Sequence, residues 1–339
     1  MPQLLRLRYL LFFVCFLFAG VGQVPRVGQI ILYGARKTPE ARILHTLQVK
    51  QGDPLPPSKG EIEDRLEKLP GVVVARLEAV CCEAGKAVLF VGVEEKGAPH
   101  FELRSEPQGS ERLPDDMVET YQAYLRAVEA AARTGSTAED LTAGHPLMAN
   151  RAVRDLQEQF LTFAKDRLKN VRDVLRNSSD PGERAMAATI IGYAPKKDTV
   201  LNDLTFAMQD PDEAVRANAM RALGAMAVLA AKRPDLGLQI PATWFVEMLN
   251  SIVLSDRYRA ALALVNLTEK NGQEMLAQIR ERALPAVLEM ARWDNLRYAL
   301  PAYILAGRVA GLSEADIEAS WSRGEREMVI GKLAPAHKH

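Results

Sequence analysis

At 339 residues the chain exceeds one ordinary globular core, so two domains, or one domain followed by an open-ended repeat array, is the organisation its length implies. Its 48% hydrophobic and 25% charged residues exclude wholesale disorder, and 43 Lys+Arg balanced by 43 Asp+Glu exclude the basic excess that nucleic-acid binding needs. Only 6% of residues are aromatic while alanine is frequent in the second half, which favours closely packed helices over a large β-core.

The first residues, Met-Pro-Gln-Leu-Leu-Arg-Leu-Arg, are followed by an apolar run over 9–20 and then Val21-Gly22-Gln23. This is the order of a secretory signal, and about a dozen apolar residues fall short of the roughly 20 that span a bilayer. Cleavage after Gly22 is expected, releasing a periplasmic or secreted protein. The alternative is a retained anchor in the inner membrane facing the periplasm, the one case in which a membrane is a partner. Cys81 and Cys82 would then be the cysteines of the mature chain, too few for a disulfide framework. Neighbours on a strand point to opposite faces, so they read as one buried and one partly exposed thiol. A vicinal pair, a thiolate metal site and an intermolecular disulfide are the alternatives.

From Val27 a β-prone stretch runs into Gly34. Thr38 is placed to cap a helix over 39–47 with Pro39 at its first position, and Ile43, Leu44 and Leu47 share one face. Gly52-Asp53-Pro54 breaks it, and Ser58 with Glu61 forms a capping box for a second helix over 58–69. Strands over 72–80 and 86–94 follow, with Leu89, Val91 and Val93 on one face. The order is β-α-α-β-β. Gly34 and Thr38, Gly52-Asp53-Pro54-Leu55, Leu66, Gly71-Val72 and the strand ending at Glu94, in this spacing, resemble a POTRA (polypeptide-transport-associated) domain of outer-membrane insertases and some cell-division proteins. The resemblance covers about a fifth of the chain. It implies a three-stranded sheet with two helices on one face and a free edge for strand addition. No alternating strands of the kind a membrane barrel requires follow Pro99, so an insertase is excluded.

Residues 100–114 read as a linker. A helix opens at Asp116 and Glu119 and runs to Arg133, Ser136 with Glu139 suggests another helix start, and one long helix is expected over 152–175. Asp180-Pro181-Gly182-Glu183-Arg184 then recurs as Asp210-Pro211-Asp212-Glu213-Ala214-Val215-Arg216, and Ala185, Ala187, Ile191 and Gly192 recur as Ala217, Ala219, Leu223 and Gly224. The period is about 32 residues, within the range of helical solenoids. Looser echoes begin at Ser255-Asp256-Arg257 and Asp294-Asn295-Leu296, giving four helix pairs. The stretch 210–224 is similar to a HEAT repeat, in which Asp210 would cap the second helix, Arg216 would reach a neighbouring repeat's acidic cap, and Leu223 would lie in the core. Ser313 opens a last short helix through Trp321, and the tail from Lys332 reads as disordered.

The fold class is therefore a small α+β N-terminal module (β-α-α-β-β) plus an all-α HEAT-like solenoid. Its parts are a signal peptide (1–22), a POTRA-like domain (23–99), a linker and adaptor helix (100–150), HEAT-like repeats with a C-terminal cap (151–322) and a tail (323–339). No HExxH, Cys/His spacing, GxSxG, P-loop or dinucleotide fingerprint occurs, and His337 and His339 read as incidental. No cofactor and no catalytic residue is expected. The function read from this is a non-catalytic, exported scaffold or adaptor of the bacterial cell envelope. It would bind protein partners through the first strand (Gln29, Ile31, Tyr33) and through the solenoid's curved face (Arg216, Arg259, Arg297). The alternatives are a HEAT-like lyase-type enzyme, which a ligand-sized pocket beside His145 of Gly144-His145-Pro146 would favour, and a membrane-anchored division or secretion component docking through its POTRA-like domain. N-terminal sequencing of the protein recovered from its native cells should begin at Gln23; recovery of the full-length chain from the membrane alone would overturn cleavage.

Overall fold

The computed structural model describes residues 24–83, 85–269 and 272–333. The proposed cleavage site, His337 and His339 lie outside the described residues. The chain divides into two compact units: one over 102–244, the other joining the N-terminal module up to residue 101 with the helices from 245 onward. The helical region is thus divided near 244, and the module shares a unit with the later helices.

The module comprises β1 (Arg26–Tyr33), α1 (Glu40–Leu47), α2 (Lys59–Glu67), β2 (Val72–Glu83) and β3 (Lys86–Glu95), in the expected order. β3 is the central strand, parallel to β1 and antiparallel to β2. The β1 register shifts between Val27 and Gln29, a bulge at Gly28. The extra residue reverses the period-2 alternation and so puts Val27 in the same core as Ile30 and Leu32, against Ile43, Leu47, Ile62 and Leu66. Ser58 caps α2, accepting the Glu61 amide at 3.3 Å. Pro39, not Thr38, occupies the cap position of α1. The Thr38 amide donates instead to Glu95 Oε1 at 2.6 Å, while the amides of Arg36 and Lys37 donate to Oε2 at 2.9 and 2.8 Å. Cys81 is disulfide-bonded rather than a free thiol, where the β2–β3 register shifts between Val80 and Glu83.

The unit over 102–244 opens with α3 (Asp115–Arg133), followed by the paired two-residue strands β4 (Glu139–Asp140) and β5 (Leu147–Met148). Ser136 and Glu139 therefore do not start a helix; the Glu139 carboxylate is bound by Arg221. The single helix expected over 152–175 is two, α4 (Arg151–Asp166) and α5 (Leu168–Asn177). They part at Arg167, whose backbone (φ −128°, ψ 28°) leaves the helical region and whose guanidinium makes two 2.7 Å bonds to Asp116. Next come α6 (Pro181–Ile191), a 3-10 turn (Lys197–Val200), α7 (Leu201–Ala207) and α8 (Glu213–Lys232).

Asp180 caps α6, accepting the amides of Gly182 and Glu183 at 2.8 and 3.2 Å, with Pro181 at the first helical position. The cap of α8 is Asp212, two residues later than expected, accepting from Ala214 at 2.9 Å and Val215 at 3.1 Å. Asp210 is buried, and Arg184 of the preceding repeat takes both of its carboxylate oxygens at 2.9 Å. Ala219, Ala222 and Leu223 are buried along α8, which packs on α6 and α7.

α9 (Thr243–Met248) lies at the boundary between the units. The second unit continues with α10 (Leu254–Leu267), α11 (Gln273–Arg282), α12 (Leu284–Ala291), α13 (Leu296–Val309), α14 (Glu314–Ser322) and α15 (Arg326–Ile330). The helices opening at 181, 213, 254 and 296 are the second members of the four expected pairs. Ser313 caps α14, accepting the Asp316 amide at 3.1 Å. α15 falls within the stretch expected to be tail, and Val329 and Ile330 bury it.

Helices from this second half cover the face of the sheet that α1 and α2 leave open. Phe90 meets Trp293 and Tyr298 at ring-centroid distances of 5.6 and 4.9 Å, and Tyr33 meets Trp293 at 5.3 Å. The Tyr33 hydroxyl donates to the Ile252 carbonyl at 2.6 Å. Gly92 permits this approach, since a Cβ there would stand 2.4 Å from the Ile252 oxygen. β3 is consequently buried on both faces.

Leu223→Ala should cost about 2 to 5 kcal/mol of unfolding free energy, the range for deleting a fully buried leucine side chain. Denaturant titration measures it, and a loss below about 0.5 kcal/mol would place Leu223 outside the core.

Candidate functional site

β1 and β2 are the edges of the sheet, and the chain treats them differently. Along β2 the amides of Ala75 and Leu77 donate to Glu67 and Glu63 of α2 at 3.0 and 2.7 Å, so carboxylates occupy this rim. At the start of β1 the Val27 amide donates to the Asp53 carbonyl at 2.8 Å and the Gly52 amide to the Val27 carbonyl at 2.7 Å. Just beyond its end, the Gly34 amide donates to Glu289 at 2.7 Å. Among the described residues no loop or side-chain hydrogen bond reaches the backbone of residues 29–32 beyond the ladder to β3. The partial cover comes from residues 52–55.

Of the strand residues singled out from sequence, Gln29 is half-buried while the side chains of Ile31 and Tyr33 are buried. Ile31 and Tyr33 could offer a partner backbone groups, not side chains. Burial pushes the Tyr33 phenol well above its usual range, against the opposing charge of Arg257, whose guanidinium carbon lies 4.6 Å from the ring centroid. Glu95 shows the opposite balance. Burial works to raise its pKa, but the hydrogen bonds from Thr38, Arg36 and Lys37 outweigh it and hold the carboxyl below the ordinary carboxylate range.

The arginines expected on the array serve different purposes. Arg216 is buried and donates to the carbonyls of Asp210 and Pro211 at 2.8 and 2.9 Å. Arg184 makes the equivalent bond to the Ser178 carbonyl, and Arg257 to that of Ser251, each at 2.9 Å and each six residues back. The repeated position is therefore Arg257, two residues before the Arg259 expected from sequence. Arg259 and Arg297 are half-buried and both act on Tyr258, Arg297 through a hydrogen bond to its phenol. Arg184 and Arg257 were legible in principle from the constant distance between capping turn and arginine, a signal blurred by the differing turn lengths.

A pocket of about 230 Å³ lies beside His145 in the unit over 102–244. Its wall holds Lys197 and Tyr193 from the segment after α6, Leu161, Thr162 and Lys165 from α4, and Ala143. The Lys197 ammonium is buried; it donates to the Gly192 carbonyl at 2.8 Å and lies 3.2 Å from His145 Nδ1. Among the described residues no carboxylate forms an ion pair with it. Burial alone pushes the Lys197 pKa down to about 7. Burial, reinforced by the Lys197 charge, pushes His145 down to about 4. The Tyr193 hydroxyl is occupied, donating to the Pro146 carbonyl at 2.9 Å, and its ring stacks beside the imidazole at 5.2 Å. Sequence gave no reason to pair Lys197 with His145, which lie 52 residues apart.

The family model for HEAT repeats matches residues 168–238, the stretch from α5 through α8 and about a fifth of the chain. No curated protein matches the chain. The matched segment identifies the helical repeat expected from Asp210 to Gly224, and HEAT repeats are in general protein-interaction scaffolds.

Because Glu95 titrates below its unfolded value, it contributes stability above the ordinary carboxylate pKa, and that contribution is lost as pH falls through its lower folded pKa. Glu95→Gln should therefore flatten the loss of unfolding free energy below about pH 4 relative to wild type. Denaturant titrations across that range check this, and parallel curves for the two proteins would contradict it.

Proposed function

We propose that this chain is an exported scaffold of the bacterial cell envelope that holds a partner protein by taking one of its extended segments onto β1. The observation that carries the proposal is the uneven finish of the sheet's rim. Glutamates of α2 occupy β2, and loop 52–55 and Glu289 hold the two ends of β1, while residues 29–32 keep an uncovered backbone edge among the described contacts. An unpaired edge flanked by fixed ends favours one added strand in one register.

The β-α-α-β-β order, with β1 parallel to a central β3, supports the likeness to a POTRA domain, whose role would be this kind of docking. The HEAT repeats support a scaffold more broadly, with a helical surface available to a second partner. The apolar segment over 9–20 supports export. The test belongs in the full-length protein, because Phe90 and Tyr33 pack on helices from beyond residue 245 and a fragment ending at Pro99 would expose them.

A photo-crosslinking residue at Gln29, introduced in intact cells, should capture a partner that also slows amide exchange over residues 29–32 of the purified protein. A partner captured only from positions on the helical repeats, with exchange at 29–32 unchanged, would refute strand addition.

A further inference from the structure

The buried arginines of this protein are matched to carboxylates or to carbonyls of their own turns. Lys197 is not matched by charge. Its ammonium has three donors, of which the Gly192 carbonyl takes one and His145 Nδ1 stands opposite another. Capping the C-terminus of α6 accounts for the first contact and draws a cation there. A lysine serving only as a cap keeps its head in water and buries its stem. Here the head is buried and borders a pocket. The turn that carries His145 is shaped to the lysine as well. Gly144 has φ +76°, and a Cβ on it would stand 2.7 Å from Leu229 and 3.1 Å from Lys197 Cε.

We propose that this pocket binds a small carbonyl compound bearing an acidic group, which condenses with the Lys197 amine. A volume of about 230 Å³ lies below the roughly 300 Å³ at which drug-sized pockets begin, so the compound has only a few heavy atoms. Lys165 at the exposed rim supplies the charge that would hold a carboxylate, and Leu161 with Ala194 supplies apolar wall. The acidic group that acts on this cluster is Asp140, through His145. Desolvation without a counter-ion leaves about half of the Lys197 amines neutral at pH 7, the condition for nucleophilic attack.

The reaction balances within the pocket. The amine lone pair forms a bond to the carbonyl carbon, and the C=O π pair moves onto oxygen. Neutral His145 accepts a proton from the attached nitrogen and passes it to that oxygen, giving a carbinolamine. A second proton carried from nitrogen the same way releases the hydroxyl as water, and the C=N bond forms. One aldehyde and one amine give one imine and one water, with no oxidant or reductant. In this sequence Lys197 is the catalytic residue and His145 the proton carrier beside it.

Glyoxylate, as a probe carrying both groups, is incubated with the full-length protein and cyanoborohydride at pH 7, and carboxymethylation of each lysine is followed by peptide mass spectrometry. Lys197 should be modified at least about ten-fold faster than exposed lysines, of which only about one in a thousand is neutral at this pH. The ratio of the Lys197 rate to that of the exposed lysines should fall about ten-fold per pH unit above 7, as they deprotonate and Lys197 no longer gains. His145→Gln should slow the Lys197 adduct, and Lys197→Met should abolish the fast adduct. The ratio measured in the wild-type protein decides the matter even if either variant fails to fold. Propionaldehyde, of similar size without the carboxylate, should label Lys197 without saturation where glyoxylate saturates. A ratio of the Lys197 rate to that of the exposed lysines near one and unchanged with pH would show a helix-capping lysine only. Equal saturation by both aldehydes would remove the acidic group from the proposal.

Discussion

A buried guanidinium that bonds the carbonyl six residues before it sets the geometry of the helical repeats. Arg184, Arg216 and Arg257 do this at the turns ending in Ser178, Asp210 and Ser251. Carbonyls at the end of a helix have no partner within it, so a turn buried between two helices needs an outside donor. The arginine meets that need from the second turn of the next helix, which fixes how sharply the chain reverses. Its charge must then be met, and the following repeat does so: Arg184 is held bidentately by Asp210, and Arg257 by Glu289 at 2.7 Å. Removing one member of such a pair strands a buried charge, at a cost of about 3 to 5 kcal/mol. The repeats of Arg184 and Arg257 are thus tied both to their own turns and to their successors.

The N-terminal sheet answers a different constraint. β3 runs Lys-Ala-Val-Leu-Phe-Val-Gly-Val-Glu-Glu, and a strand apolar at nearly every position has to be covered on both faces. α1 and α2 cover the face of Leu89, Val91 and Val93. Trp293 and Tyr298 cover Phe90, and the Ile252 carbonyl fits over Gly92. The module is therefore a layer in its own unit and not a bead on a linker. With both faces filled, what the sheet can offer a partner is its rim, and the glutamates along β2 narrow that to β1.

Local chemistry was legible and tertiary choice was not. Ser58 and Ser313 cap the helices their spacing announces, and the four second helices begin at the repeated turns. The misassignments share one physical origin, a side chain with two competing uses. Thr38 reads as a cap, but the Glu95 carboxylate engages its side chain as well as its amide. Asp210 reads as the cap of α8, but Arg184 claims it and Asp212 caps instead. Glu139 reads as the end of a capping box, but Arg221 holds it in a strand pair. In each case the winning partner lies tens of residues away, and a charge-assisted or multiply bonded contact outweighs a single capping bond of about 1 kcal/mol. The second cover of the sheet was foreshadowed in the unbroken apolar run of β3. The meeting of His145 with Lys197 had no counterpart in any local pattern.

The contrast among buried cations gives the pocket its meaning. Arg308 follows the rule of the repeats: it donates to Glu314 at 2.7 Å and to the Thr268 hydroxyl at 2.9 Å, so its burial stabilises the helices around it. Lys197 has a carbonyl and an imidazole, neither of which carries a negative charge, and its own charge lowers the pKa of the histidine beside it. For closing the end of α6 an arginine paired as Arg184 is would serve better, and this protein uses that solution at Arg184 and Arg257. A neutral amine at physiological pH is what the Lys197 arrangement supplies and the arginine arrangement forbids. The difference lies in charge compensation, which Arg184, Arg257 and Arg308 receive and Lys197, among the described residues, does not; that contrast is the ground on which we assign the amine a chemical role rather than a stabilising one.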